Sequence, residues 1–504
     1  MENSATDLFN NKIRIPPELD AYLRSTNPWW EGKPGRVLPK FRRWAFPVLV
    51  RRLEAPLAPA IVLRGPRQVG KTTIQEQLVE YLLKERSVDA RCIFRVQFDE
   101  IPSLVGLKQP LLTLCDWFQN RILSRTFNES AHDGKPAYIF LDEAQNLSDW
   151  AQQLKALVDH HTVQVVVTGS SALRIEAGRD SLAGRISTLE LGTFLLREIS
   201  ELGGQPISKN PLVPNGLEPL TRAEFWRDLA TGHPADRPAR DAAFEAFSIR
   251  GGYPIVHARP AVSWPEAADQ LNENVIRRVI LHDLRMGERG RKRDAPLLEE
   301  IFRLACRYAG QSPGQATLLA ELRQTLGANV GPQRLHSYLR FLDGAMLLKM
   351  IKPLEIRLKR SKGRPKLCLV DHGLRASWLE EIVPIHAAGL RAAPHLTDIA
   401  GHLAESVVGA FLSGLPHLDL SHFPERPVEP EIDFVLTIGE KRIPLEIKNR
   451  QRIDPHRDTV GLRAFLEKTT NNAPFGILVT MLDDVEIPDA RIIPIALPAL
   501  LLMR

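Results

Sequence analysis

The chain has 504 residues, 44% hydrophobic and 25% charged, with a net charge of +6 and a pI near 9.1. That is ordinary globular composition with room for about two to four domains, and it permits a nucleic-acid partner without requiring one. It contains no low-complexity tract or internal repeat, and its longest apolar run, 492–503, is too short and too broken by Pro494 and Pro498 to span a membrane.

The first residues do not read as a signal peptide. The four dispersed cysteines, Cys92, Cys115, Cys306 and Cys368, form no C-x-x-C pair and fit reduced thiols in a cytoplasmic protein. Residues 1–50 are a lead-in marked by Asn27-Pro28-Trp29-Trp30 and by the basic Lys40, Arg42 and Arg43. The paired tryptophans read as a hydrophobic anchor or as a stacking surface for a base. Residues 61–73 then give an apolar β-run, a glycine-bounded loop and a helix start, in the pattern G-x-x-x-x-G-K-[ST]. Gly65, Pro66, Arg67, Gln68, Val69 and Gly70 form the expected phosphate cradle, followed by Lys71, Thr72 and Thr73 on the helix. Main-chain N–H groups and the helix N-terminus attract a triphosphate. Lys71 adds charge on the β/γ-phosphates and Thr72 a hydroxyl for Mg²⁺.

A second β-run covers 91–98, and an amphipathic segment covers 107–125. Residues 137–143 are an apolar run ending in Asp142-Glu143, which suits a buried parallel strand with carboxylates at its C-terminal edge. There Asp142 would hold the Mg²⁺ shell and Glu143 would polarise the attacking water; alternatively the two acids cap the next helix. A helix over 149–159 leads to a strand over 163–169, followed by Ser170-Ser171. Thr168 or Ser170 either senses the γ-phosphate or satisfies the strand-end turn. Arg185, just before a fifth strand, is either a finger supplied in trans to a neighbouring subunit or a surface arginine. Alternating strands and helices from 58 to about 195 predict an α/β P-loop NTPase with a three-layer parallel sheet.

Residues 196–290 turn helical and proline-rich, suiting a helical lid, with a sharp turn at 250–254. The region ends in Arg285, Arg289, Arg291, Lys292 and Arg293, either a contact patch or a solvated face. From Leu297, three short amphipathic helices precede two β-runs joined by the basic turn 357–366, the outline of a winged helix. Its third helix offers Gln333, Arg334, His336, Ser337 and Arg340 for DNA. The wing offers Lys359, Arg360, Lys362, Arg364 and Lys366 for phosphates; the alternative is a winged helix used for protein packing. In the last domain, a helix carries Glu405, and a hairpin carries Asp433 on one strand and Glu446-Ile447-Lys448 on the other. Residues 446 and 448 share one strand face. Asp433 and Glu446 suit Mg²⁺, with Lys448 steadying a water and Glu405 completing the shell. The bare spacing equally describes a solvated charged hairpin.

These anchors occur in the order seen in a family of bacterial and archaeal AAA+-type ATPases, which the chain resembles. The matching motifs are Asn-Pro-Trp-Trp (27–30), Gly-Pro-Arg-x-x-Gly-Lys-Thr (65–72), Leu-Asp-Glu-x-Gln (141–145), Thr-Gly-Ser-Ser (168–171), Ser-Leu-Ala-Gly-Arg (181–185), Gly-Gly-Tyr-Pro (251–254) and Val-Asp-x-Gly-Leu (370–374). The tail looks like the family's winged helix and C-terminal region, long catalogued as a domain of unknown function and similar to PD-(D/E)xK nucleases. The resemblance implies Mg²⁺-dependent ATP hydrolysis, homo-oligomers and branched or forked DNA partners. Alternatives are an ATP-gated nuclease and a nucleotide-controlled protein-binding switch. The expected boundaries are 1–50, a P-loop core at 51–200, a lid at 201–294, a winged helix at 295–394 and a nuclease-like domain at 395–504. The proline-rich stretch 203–240 is longer than the family pattern needs.

Overall fold

A computed structural model describes residues 15–99, 101, 104, 107–147, 149–169, 182–208, 211–212, 216–259, 261–281, 294–327, 330–355, 363–425 and 429–504. The chain forms two compact units, one of residues to Gly65 with Gly70–Leu191, the other of Gly192–Arg504 with Pro66–Val69.

The first unit is built on β1 (Ala60–Arg64), β2 (Ile93–Gln97), β3 (Ala137–Asp142), β4 (Val163–Gly169) and β5 (Ile186–Glu190). They lie in the order β2-β3-β4-β1-β5, and all four pairings are parallel. β-Branched and aromatic runs such as Val165-Val166-Val167 are buried on both faces, as helices on either side of a parallel sheet require. Val62, Phe94, Ile139 and Val165 meet Leu114, Phe118 and Leu154 in the core. The order sets the C-terminal ends of β3, β4 and β1 side by side, the edge where open α/β sheets bind ligands.

The lead-in anchors on β2, the sheet's edge strand. Asn27 Nδ2 donates to Arg95 O (2.9 Å), and Arg95 N donates back to Asn27 Oδ1 (2.8 Å). Trp30 Nε1 donates to Ile93 O (2.9 Å), and its ring lies about 6 Å from Phe94, Trp117 and Phe118. Trp29 Nε1 reaches the same carbonyl (3.2 Å). The tryptophans thus pack on the sheet, and the edge that would otherwise expose unpaired backbone groups is covered.

The second unit contains β6 (Leu348–Pro353), β7 (Lys366–Leu369), β8 (Asp419–Phe423), β9 (Ile432–Ile438), β10 (Lys441–Lys448), β11 (Gly476–Thr480) and β12 (Ile492–Ala496). They form one sheet in the order β12-β11-β10-β9-β8-β6-β7. Helices Ala295–Arg307, Gln315–Leu326 and Pro332–Gly344 precede β6 and β7, which pair antiparallel. In the first of these helices the expected face of Leu298, Ile301, Phe302 and Ala305 is buried.

The domain boundary expected at 394/395 does not hold for this sheet. β6 pairs with β8 through Lys352↔Ser421 and Pro353↔His422, so the hairpin's backbone groups continue the C-terminal sheet. A second tie joins two of the sequence anchors. Gly252 N donates to Asp371 Oδ2 (2.6 Å) and Gly373 N to Asp371 Oδ1 (2.8 Å). A Cβ on Gly251, whose φ is +71°, would fall 2.0 Å from Asp371 Oδ1, so only glycine admits this approach. Among the described residues, no helix is long and apolar enough to cross a membrane.

Candidate nucleotide site and a buried acidic cluster

β1 runs into the loop, and the helix Lys71–Lys84 starts after Gly70 at φ 92°. That left-handed geometry strains any side chain, so glycine is required there to turn the chain into the helix. Lys71 is 5% exposed, and its Nζ donates to Gly65 O (3.0 Å), folding the cation back over the loop. Thr72 Oγ1 donates to Asp142 Oδ2 (2.8 Å), while the Thr168 hydroxyl donates to Asp142 Oδ1. Residues from the P-loop helix, β3 and β4 therefore converge on one buried carboxylate. A hydroxyl and a carboxylate side by side are hard oxygen donors. They suit Mg²⁺, which takes few protein ligands and keeps waters and phosphates. Thr72 and Asp142 thus fit the ion that the sequence implies.

Glu143 follows in the left-handed region (φ 51°), where a non-glycine residue is strained, and accepts a hydrogen bond from Gln145 Nε2. Thr168 spends its hydroxyl on Asp142 and so acts here as a positioning group for that carboxylate. Arg185 forms a two-point pair with Asp159 (Nε–Oδ1 2.5 Å, Nη2–Oδ2 3.0 Å). Action in trans would require it to leave this partner. Ser170, Ser171 and Ser181 lie outside the described residues.

Sequence reasoning missed Arg95. Its guanidinium, 6% exposed, reaches Gln75 Oε1 (3.2 Å), Gln97 Oε1 (3.1 Å) and Asp142 Oδ2 (3.4 Å). Its backbone holds Asn27, so the lead-in anchor and Asp142 share one strand residue. The signal was available: an arginine inside the apolar run Ile93-Phe94-Arg95-Val96 must find partners when buried.

In the second unit, Glu446 and Lys448 share one face of β10 and pair (Nζ–Oε1 2.6 Å). Asp433 on β9 accepts from Ile447 N (2.9 Å). Glu405 projects from the helix Thr397–Ser413. Burial pushes the Glu446 carboxyl up to about 8, with the Asp433 charge adding to the effect and Lys448 opposing it. Burial also raises Glu405, helped by Asp433. For Asp433, burial pushes upward, but Lys366 outweighs it and holds the carboxyl below its ordinary value.

Lys366 corrects the sequence reading. Expected as a phosphate contact on an exposed wing, it opens β7 and is 1% exposed. Its Nζ donates to Glu405 Oε2 (2.7 Å) and Asp433 Oδ1 (2.8 Å), with Glu431 at 3.6 Å. A buried cation seeks carboxylates, and pairing of the hairpin with the C-terminal sheet supplies them. Of the expected metal pair, Asp433 is engaged through both oxygens by Lys366 and Ile447 N–H, and Glu446 through Oε1 by Lys448, its buried Oε2 having no hydrogen-bond partner among the described residues. Among the described residues, no group of three or more His, Cys, Asp or Glu side chains is arranged to hold a metal ion. As they stand, the carboxylates of this cluster do not fit a divalent ion.

Gln333, Arg334, His336, Ser337 and Arg340 are all exposed along one helix, and Arg364 is exposed as well. Arg334 pairs with Asp294 at 3.2 Å. Lys359, Arg360 and Lys362 lie outside the described residues, as do Arg285, Arg289, Arg291, Lys292 and Arg293.

Comparison with known proteins agrees with the first unit's geometry. Residues 58–200 match a family described as an AAA domain, and residues 241–382 match a domain of unknown function (DUF8612). The second match runs across the boundary expected at 294/295. An uncharacterised protein of Haemophilus influenzae is 21% identical over 323 residues, 62% of this chain and 68% of its own. Uncharacterised proteins of Mycobacterium bovis and Mycobacterium tuberculosis are each 27% identical over 176 residues, 34% of this chain. The chain spans about a third of the length of these mycobacterial relatives (33%). Among solved structures, the Aeropyrum pernix ORC1 protein in complex with DNA aligns at 14% identity over 78% of this chain and 97% of that one. Its TM-score of 0.25 is too low to bear on the fold. Sheet order, P-loop and family match give residues 58–200 a P-loop NTPase fold similar to the AAA domain family.

Proposed function

We propose that the protein hydrolyses ATP and uses the cycle to bind or remodel DNA, with branched or forked DNA as the preferred partner. The observation that carries the hydrolytic reading is the convergence of Lys71, Thr72 and Thr168 on the loop and on Asp142 at the strand edge. Thr72 and Asp142 would hold Mg²⁺, which when bound neutralises charge on the β- and γ-phosphates. Lys71 binds the same phosphates as a point charge. Glu143 orients the attacking water and takes its proton, as the bond from the γ-phosphorus to the bridging oxygen breaks and ADP and phosphate leave. Arg185 is assigned to the neighbouring copy's nucleotide in a homo-oligomer.

The DNA reading is supported by the exposed polar and basic face of the helix Pro332–Gly344, the three-helix-and-hairpin layout of a winged helix, and a net charge of +6. Turnover measured with forked, duplex and single-stranded DNA tests both parts. DNA-stimulated turnover that Lys71→Ala abolishes is expected. Equal turnover with and without every DNA would sink the DNA part, and full turnover in Lys71→Ala would sink the hydrolytic part. Binding through phosphates also predicts an affinity that falls steeply with salt.

A further inference from the structure

We propose that Lys366 is the resident cation of the tail's acidic cluster, standing where a divalent metal would have to sit, so that this domain does not carry out metal-dependent cleavage of DNA. The inference concerns the second unit alone and does not depend on the nucleotide chemistry of the first.

The geometry carries it. One ammonium lies 2.7 Å from Glu405 and 2.8 Å from Asp433, a bridge between the two acids that the nuclease-like pattern would assign to a metal shell. Its third acidic neighbour, Glu431, is 3.6 Å away, and the Phe434 ring centroid lies 5.3 Å from the nitrogen. Asp433 has no uncommitted oxygen, because Oδ2 receives the Ile447 amide. Glu446 Oε1 is held by Lys448, and its buried Oε2 has no hydrogen-bond partner among the described residues, which leaves one oxygen of one side chain and not the shell a divalent ion needs. Mg²⁺ demands near-octahedral oxygens at roughly 2.0–2.1 Å. An ammonium nitrogen 2.7–2.8 Å from two of those oxygens excludes an ion from the same place.

The lysine is also poorly placed to leave. It is 1% exposed, and its own residue pairs with Ile351 across the β6–β7 ladder. Expelling it would carry a charge through protein, and keeping it beside a dication would set like charges together in a water-poor site. Lys366 and Lys448 already supply two positive charges to the cluster. The cluster therefore acts as a pin that fastens β7 to the Glu405 helix and to β9.

The test uses full-length, nucleotide-free protein and Mn²⁺ as the probe, followed by calorimetry and paramagnetic resonance. Wild type and Asp433→Asn are expected to show the same Mn²⁺ titration, and supercoiled plasmid should stay intact with Mg²⁺ or Mn²⁺. Lys366→Met should lower the melting midpoint, and Mn²⁺ should restore it by taking the vacated place. Adding Asp433→Asn should remove that rescue. A Mn²⁺ site in wild type that persists in Lys71→Ala but disappears in Asp433→Asn overturns the proposal. So does plasmid nicking that Glu446→Ala abolishes, or a Lys366→Met protein as stable as wild type. If Lys366→Met does not fold, the comparison of wild type with Asp433→Asn decides alone.

Discussion

Two buried acidic centres sit in this chain, and they differ in what satisfies their carboxylates. Asp142 accepts from two hydroxyls, Thr72 and Thr168, with Arg95 at the longer distance of 3.4 Å. Asp433 and Glu405 share one ammonium, and Glu446 has another. A hydroxyl is neutral and can turn its oxygen toward an incoming cation. An ammonium is a fixed charge that a cation must displace. A carboxylate held mainly by hydroxyls in one unit thus contrasts with carboxylates held by ammonium groups in the other, and a motif of carboxylates alone does not tell them apart.

The sharpest way to break this contrast is to remove each centre's donors in turn. Lys366→Met should cost about 3–5 kcal/mol of unfolding free energy, because it leaves two buried carboxylates without a counter-charge. Thr168→Val removes one neutral donor and should cost only about 1–3 kcal/mol. Chemical denaturation of the two variants measures both, and a Thr168→Val loss equal to that of Lys366→Met would erase the distinction. On the catalytic side, Lys71→Ala should lower ATP turnover by at least about 100-fold, the scale for removing one preorganised charge-stabilising donor. A steady-state phosphate-release assay is the check.

A smaller effect is expected at Arg95. Arg95→Met should lower turnover by about tenfold, through a displaced Asp142, while ATP binding measured by nucleotide titration stays near wild type. If binding and turnover fall together, Arg95 supports the fold of the strand rather than the position of the carboxylate.

Much of the first unit was legible because its site is assembled from contiguous signals. The P-loop is strand, turn and helix within 13 residues, 61–73, and Asp142 ends its own apolar strand. The parallel order follows from alternation of strands and helices. What escaped depends on long-range pairing. Lys366 closes a lysine- and arginine-rich turn, so local charge density predicted solvent. Its acids lie 39 and 67 residues away; pairing of β6 with β8 and β8 with β9 brings Asp433 near, and packing of the helix Thr397–Ser413 against β7 brings Glu405. The Gly252–Asp371 tie, spanning 119 residues, was visible as two separate motifs but not as one contact. Arg95 carried a local signal, a charge in an apolar strand, whose partners no spacing rule supplies.

The pH dependence of stability carries the contrast between burial and pairing into the tail itself. Burial pulls His422 down to about 4 from its ordinary 6.5, and its Nε2 bonds Arg364 O at 2.7 Å. The unfolded chain therefore takes up the proton first as pH falls. The stability tied to the neutral ring is complete above 6.5 and is lost between 6.5 and about 4. Glu446 works in the opposite sense. Its carboxyl is held near 8 against an ordinary 4.5, so the native state keeps a proton that the unfolded chain releases, and stability falls as pH rises from 4.5 toward 8. Each slope is bounded by about 1.4 kcal/mol per pH unit. Urea midpoints followed from pH 8 to pH 4 should show His422→Gln losing less stability than wild type below pH 6.5. Glu446→Gln should lose less than wild type on the rise from 4.5 to 8. A Glu446→Gln curve parallel to wild type across that range would mean that Lys448 keeps the carboxyl ionised, and the cluster would then carry one more negative charge than its two lysines balance.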